Sequence, residues 1–349
     1  MTSVDQHRES DTVLEAEQNV SYTEIQKGSG NVKKETEQEN IEFLGNEWNF
    51  VKKRLFTDSK VYRSIDGLKY LHIGESKNIN SEALYVKKLH GLGFPVPEML
   101  DQGESQGYSY YVERSLVGKS FRDKFHDECA SQGRVNPNSL KSFCDMMCLF
   151  LRAQIKISNH FDKRDNQLKI NVMLSNVLQE NSDLDIGQVE SCVQKIESRL
   201  LTLPKVFSHG DLTPRNTFED GIIDFEFRSI APIGYDVLTA PVVERFWGFR
   251  TRDRKTYEEF HLDEGQVSYY LRKIEKEAES HGIKDFSKFS DDFILLKAVW
   301  SLAYEKHPAE QSGDTTKWNF RKKILIYCMK RYLSGEPIET KEFGGLNVE

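Results

Sequence analysis

Residues 206–227 read Val-Phe-Ser-His-Gly-Asp-Leu-Thr-Pro-Arg-Asn-Thr-Phe-Glu-Asp-Gly-Ile-Ile-Asp-Phe-Glu-Phe, and no other stretch restricts the fold as tightly. Two apolar pairs, Val206-Phe207 and Ile222-Ile223, bracket a loop that carries His209, Asp211, Asn216, Asp224 and Glu226. Short apolar runs on either side of polar turn residues predict two buried strands holding that loop between them. Asp211 and Asp224 then sit at neighbouring strand ends, with Asn216 on the connection. Two carboxylates and an amide offer oxygen ligands only. Such a set suits magnesium, which keeps several waters and completes its shell with substrate phosphates. A further acceptor, held nearby but off the metal, takes a proton from a hydroxyl. Magnesium with an orienting base is equipment for phosphoryl transfer, where the protein mainly positions groups and neutralises charge. Paired carboxylates also serve glycoside hydrolysis, a reading that gives Asn216 no task. The purely structural alternative makes His209 and Asp211 turn caps and Asp224 a helix cap.

The chain on either side changes texture. Strands are expected at 49–56, 60–65 and 68–74, with Asp66-Gly67 as the hairpin turn between the last two. Alternation puts Leu71 and Ile73 on the face opposite Tyr70 and His72. A helix is expected from about Asn80 to His90, stopped by Gly91 and Gly93. Two further strands, near 98–102 and 108–113, make a small sheet of about five strands with one inserted helix. After Gly118 the pattern is mostly helical. Asn138 to Ile157 carries Phe143, Met147, Phe150, Leu151 and Gln154 at three-and-four spacing. Later helices are expected at 236–249, 262–281, 289–304 and 317–333.

Composition narrows the class. The first 40 residues carry 9 acidic and 4 basic side chains and almost no aromatics, so they bury too little apolar area to offset ordering entropy and read as a flexible leader. The whole chain has 48 basic and 55 acidic residues, net −7, without the basic excess of a nucleic-acid binder. No apolar run approaches a membrane span, and the first ten residues do not read as a secretory signal. Five scattered cysteines without a Cys-x-x-Cys pair favour a reducing, cytoplasmic setting.

His209-Gly-Asp-Leu-Thr-Pro-Arg-Asn216 and Ile223-Asp-Phe-Glu226 resemble the catalytic and metal-binding loops of the aminoglycoside phosphotransferase and choline kinase superfamily. The resemblance extends over about 48–330. It includes the Lys60-Val-Tyr-Arg63 strand, the Asp66-Gly67 turn, Ser81-Glu-Ala-Leu84, Gly93-Phe-Pro-Val-Pro97 and the Pro232-Ile-Gly-Tyr-Asp236 segment, where the family has a structural aspartate. The resemblance implies an α+β, two-lobed protein-kinase-like fold with ATP in the cleft. Residues 1–45 would be the acidic leader, 46–113 an N-lobe of antiparallel sheet with one helix, 114–334 a larger helical C-lobe and 335–349 a tail. It further implies that Asp211 is the catalytic base and that Asn216 and Asp224 hold Mg2+. Glu82 matches the helix glutamate of the small lobe, and Tyr111 to Ser115, with Glu113, the hinge beside adenine.

Two departures bear on the nucleotide. The family's strand lysine, which pairs phosphate oxygens with the helix glutamate, is replaced by His72, and Lys69 stands three residues earlier. Three readings are open: His72 binds Glu82 and stays charged, a bulge turns Lys69 inward, or His72 is simply a packed strand residue. The loop that should cover the phosphates, Phe56 to Lys60 with Ser59, contains no glycine. The expected function is an ATP-dependent kinase acting on a small-molecule hydroxyl: a sugar, an amino alcohol or an anionic glycolipid precursor. The alternative is a nucleotide-binding scaffold or sensor of the pseudokinase type. Transfer to a protein hydroxyl ranks last, because no long activation segment separates Asp224 from Asp236.

The acceptor site is sought in Glu226 and in Glu244, Arg245, Trp247 and Arg250. The run from Glu244 to Lys255 holds three aromatic and five basic residues. That charge argues against a polycationic acceptor. The aromatics suit a quaternary ammonium and the arginines an anionic group.

Overall fold

The computed structural model describes residues 40–54, 59–158, 170–246, 262–303 and 305–347. They form two compact units. The first takes the chain up to Gly91 together with Val96–Leu116; the second takes Leu92–Pro95 and everything from Val117 onward. The change of unit near Leu116 lies three residues beyond the expected boundary at 113.

The first unit is an antiparallel six-stranded sheet in the order β1-β2-β3-β4-β6-β5. Its strands are β1 (Ile41–Phe43), β2 (Asn46–Lys53), β3 (Lys60–Ser64), β4 (Lys69–Gly74), β5 (Met99–Ser105) and β6 (Tyr108–Arg114). Helix α1 (Ser76–Gly91) is inserted between β4 and β5. The extra strand, β1, lies in what was expected to be leader. It orders because Phe43 is buried with Trp48, Tyr62, Leu71, Ile73, Tyr110 and Val112 on one face of the sheet, and the Trp48 indole donates to the Phe43 carbonyl at 2.9 Å. On the other face Ile79 and Ala83 of α1 pack with Tyr111. Leu71, His72 and Ile73 are therefore all buried, although alternate side chains point to opposite faces.

The second unit is mainly helical: α2 (Phe121–Gln132), α3 (Pro137–Ile157), α4 (Ile170–Glu180), α5 (Ile186–Leu200), α6 (Glu264–Ser280), α7 (Ser290–Ala303), α8 (Lys306–Ser312) and α9 (Thr316–Ser334). Helix α3 starts where Asn136 caps the Asn138 N–H and Pro137 takes the first turn. Its periodic residues Phe143, Met147, Phe150, Leu151 and Gln154 are all buried. Helix α6 opens on a reciprocal Asp263–Gln266 capping box. The expected helix from 236 is instead a run of turns ending in a 3-10 turn at Val243–Phe246. The Glu- and Gly-rich stretch from Gly335, whose composition predicts fraying, packs back onto the second unit over its described residues, which run to 347. Phe343 is fully buried, edge-on to Phe246 at 5.1 Å and Tyr327 at 5.9 Å. Aromatic burial outweighs the local glycines there.

Between these helices lies a two-stranded ribbon, β7 (Lys205–Ser208) against β8 (Ser229–Pro232). The partner strand differs from expectation. Ile222-Ile223 makes only a single bridge, Thr217 to Ile222, and the ribbon closes further along the chain. Among the described residues no helix is long and apolar enough to cross a membrane.

Candidate active site

The ribbon sets up the loop chemistry in the second unit. Strand β7 ends at Ser208, and the backbone turns through Gly210 at φ 83°. A side chain here would place Cβ 2.0 Å from the Phe227 carbonyl oxygen, so only glycine fits. Buried Asp236 holds this turn. Its carboxylate accepts from the Ser208 hydroxyl (3.1 Å), the His209 N–H (3.1 Å), the Gly210 N–H (3.0 Å) and the Gln154 amide of α3 (3.1 Å). Burial pushes the Asp236 carboxyl up from its ordinary value, while the His209 neighbourhood and these hydrogen bonds hold the rise back.

His209 links the two loops. Its Nδ1 accepts the Asp211 N–H at 3.2 Å, which assigns the ring proton to Nε2, and Nε2 lies 2.8 Å from the Ile223 carbonyl oxygen. Asn216 ties them again. Its Nδ2 donates to the Asp211 carbonyl at 3.0 Å, and its own carbonyl accepts the Ile223 N–H at 2.9 Å. The loop carrying Asp211 is thus clamped to the segment carrying Asp224. Asp224 itself has φ 71° and ψ 58°, in the left-handed region. That conformation costs a non-glycine residue about 1–3 kcal/mol and concentrates at functional sites.

Lys297 of α7 completes the surroundings of Asp211. Its Nζ donates to the Gly210 carbonyl at 2.8 Å and stands 3.6 Å from Asp211 Oδ1. It also lies 3.6 Å over the Trp300 ring. Sequence reading missed Lys297, which sits inside an ordinary apolar helix and carries no motif. Glu244 also faces this region. Burial pushes its carboxyl up to about 7; Arg122 restrains the rise, Asp211 adds to it and Arg215 restrains it.

The remaining acceptor candidates fare differently. Arg245 turns away: its guanidinium donates to Glu264 Oε1 (3.1 Å), the Thr340 hydroxyl (2.6 Å) and the Leu262 carbonyl (2.7 Å). It is a structural tie, because three of its five N–H donors are taken by Glu264, Thr340 and Leu262. Glu226 lies in the 3-10 turn Phe225–Phe227 directly after Asp224. Trp247 and Arg250 lie outside the described residues.

In the first unit the expected cation at Glu82 is neither Lys69 nor His72. Strand β4 keeps an unbroken register with both β3 and β6, so no bulge turns Lys69 inward. Lys69 stays exposed at the start of the strand, opposite Arg114. His72 is buried, but its Nε2 meets Glu113 Oε1 at 3.0 Å and its ring stacks on Tyr111 at 4.2 Å, 8° from parallel. Glu82 is instead ion-paired with Arg54, and both side chains are buried. Tyr111 and Glu113 belong to the interior of β6, opposite His72 and Tyr70, so the connection to the second unit begins only after Arg114. Burial pushes the Tyr111 hydroxyl well up; the Glu82 charge and a hydrogen bond to it add to the rise. Ser59 is buried, and its carbonyl accepts the Arg54 N–H at 2.8 Å.

The Asn216 hydrogen bond spends its amide nitrogen and leaves its oxygen as the acceptor end. With the Asp224 carboxylate this is an oxygen donor set that fits magnesium. Among the described residues no three His, Cys, Asp or Glu side chains gather as a metal site. A two-residue oxygen set of this kind relies on substrate phosphates to complete the shell.

Residues 68–271 match the model of the phosphotransferase enzyme family. A comparison with curated proteins gave no match. Among solved structures, a choline/ethanolamine kinase family protein from Mesorhizobium loti is 16% identical, with 86% of this chain and 92% of that chain covered and a TM-score of 0.47. A glucosamine kinase is 12% identical over 82% of this chain and 79% of its own, with a TM-score of 0.49. An aminoglycoside phosphotransferase from Streptomyces rimosus, solved with ADP and streptomycin, is 16% identical over 70% and 91%, with a TM-score of 0.40.

Proposed function

We propose a reaction from one premise: the chain belongs to the phosphotransferase enzyme family, and so is a small-molecule kinase that moves phosphate to a hydroxyl. The proposed reaction transfers the γ-phosphate of ATP to the hydroxyl of a sugar or amino alcohol, with Asp211 as the base. The observation that carries it is the double tie between the two loops, through Asn216 and through His209. A base must be held to within a fraction of an ångström to orient a nucleophile. Asp211 is held by its backbone from two sides, and Lys297 faces its carboxylate.

Asn216 and Asp224 would hold magnesium, which neutralises phosphate charge when bound. The chain's own residues do the rest. Asp211 aligns the acceptor hydroxyl and takes its proton. Asp236 keeps the turn before Asp211 from relaxing. Glu244, close enough to sense the charge of Asp211, offers a carboxylate to a hydroxyl or ammonium of the acceptor. Because Arg245 is committed elsewhere, the support for an anionic acceptor is reduced.

The test is ADP release in the presence of ATP, magnesium and a panel of sugars and amino alcohols. One acceptor should raise the rate, and Asp211→Ala should lower it by about 10²–10⁴-fold. Turnover that survives this change would exclude Asp211 as the base. Absence of acceptor-dependent turnover, combined with normal ATP binding, would favour the sensor reading.

A further inference from the structure

We infer that the acceptor is an uncharged polyhydroxy compound of the sugar class, and that the buried ammonium of Lys297 excludes acceptors that carry an ammonium next to the reacting hydroxyl. The inference rests on the phosphotransferase reading above and narrows its acceptor. Three observations support it.

The first is how Asp211 is shared. Its Oδ1 is buried and lies 3.6 Å from Lys297 Nζ, whereas the side chain as a whole keeps 17% of its surface exposed. One carboxylate oxygen is thus turned to Lys297, and the other is left to orient a hydroxyl. The charge of Lys297 offsets that of Asp211, so the pair presents little net field to draw in a second cation. The second is the aromatic surroundings. Cation–π attraction would favour an ammonium guest if the rings beside the base were open to it. They are already engaged. Lys297 Nζ stands 3.6 Å over Trp300 and 5.4 Å over Tyr235, and Phe227 meets Trp300 edge-on at 5.4 Å. The third is the state of the other carboxyls near the base. Asp236 is spent on four donors of the Ser208–Gly210 turn and α3. Glu244, pushed up to about 7 by burial, is partly protonated at neutral pH, and the cations it senses are Arg122 and Arg215. A partly neutral carboxyl beside two arginines suits a hydroxyl better than an ammonium.

The ammonium of an amino alcohol lies two carbons from its hydroxyl. With that hydroxyl on Asp211, the two ammonium groups would stand within about one Debye length, about 8 Å, and the buried one has no water shell to screen it. Burial and the Arg321 charge work against the charged form of Lys297, while the Asp211 and Asp236 carboxylates favour it.

The test uses the full chain with magnesium–ATP and a panel of sugars and diols, each paired with its amino counterpart: glucose with glucosamine, ethylene glycol with ethanolamine. At pH 7 the neutral member should be favoured by about tenfold or more in kcat/KM, with most of the difference in KM. The ratio within a pair should close as pH rises through the pKa of the acceptor amine, a readout that needs no variant. Lys297→Met removes the repelling charge, and the ratio should shrink by about tenfold even though both rates fall. Lys297→Arg keeps a charge there and should keep the preference. Equal use of both members, preference for the amine, or an unchanged ratio in folded Lys297→Met would overturn the inference. Should Lys297→Met fail to fold, the wild-type ratios and their pH dependence decide. Protein that binds ATP but phosphorylates no member of the panel would overturn the phosphotransferase reading and this inference with it.

Discussion

Lys297 and Asp211 come from distant parts of the chain, yet Nζ of the first lies 3.6 Å from Oδ1 of the second. Lys297 is 2% exposed. Burial pulls its pKa down, while the charges of Asp211 and Asp236 pull the other way. A buried ammonium persists only where acceptors surround it, and here they are the Gly210 carbonyl and the Asp211 carboxylate. Lys297 therefore ties the Gly210–Asp211 turn to α7 and, in the proposed reaction, positions the base.

Lys297→Met should reduce kcat by about 10- to 100-fold with little change in ATP affinity. It should also cost about 1–3 kcal/mol of stability, because the Gly210 carbonyl loses its donor. Steady-state kinetics with urea unfolding check both effects. An unchanged kcat in a folded variant would remove Lys297 from the mechanism.

Asp236→Asn should destabilise the protein by about 2–4 kcal/mol. The amide nitrogen cannot accept, so some of the four donors now on the carboxylate lose their partner. The Asp211 turn should loosen at the same time, and activity should fall more steeply than the folded fraction. Matched losses in the two measurements would limit Asp236 to a stabilising role.

Asp224 at φ 71° separates backbone strain from chemistry. Asp224→Gly relieves the strain and should keep stability within about 1 kcal/mol of wild type, yet abolish the response of ATP turnover to magnesium. Asp224→Val, which keeps a branched side chain at positive φ, should cost about 2 kcal/mol more. A magnesium response retained in the glycine variant would argue against Asp224 as a ligand.

Glu244 makes a pH prediction. Its carboxyl rises from 4.5 to about 7 on folding, so the native state binds the proton more tightly than the unfolded chain. The resulting stabilisation is complete below about 4.5 and is lost as pH rises through about 7. Relative to Glu244→Gln, the wild type should lose about 1–3 kcal/mol between pH 5 and pH 8. Urea midpoints measured at both values would show the difference; parallel midpoints would mean that Glu244 titrates normally.

The residues that act through short-range geometry were legible in the sequence. His209, Asp211, Asn216 and Asp224 lie within sixteen residues of one another, and their spacing alone suggests an oxygen-ligand site with a nearby base. The Asp66-Gly67 hairpin and helix α3 were legible for the same reason, since turn chemistry and periodicity are local signals. In the 236–246 part of the expected helix the chain instead runs through turns, because Asp236 is drawn into the hydrogen bonds of the Ser208–Gly210 turn, a long-range tie that local spacing does not record. The second strand of the ribbon misled because apolar doublets do not say which neighbour they pair with.

By itself the sequence determined which oxygen-bearing side chains lie close along the chain: Asp211 and Asn216 on one loop and Asp224 shortly after it, a set that favours phosphate transfer. Only the tertiary structure decided which cations serve them. Lys297 reaches Asp211 from a distant helix, and Arg54 rather than Lys69 or His72 reaches Glu82. The physical reason is that long basic side chains act through space over several ångströms. Their partners are set by how strands and helices pack, and no spacing along the chain records that.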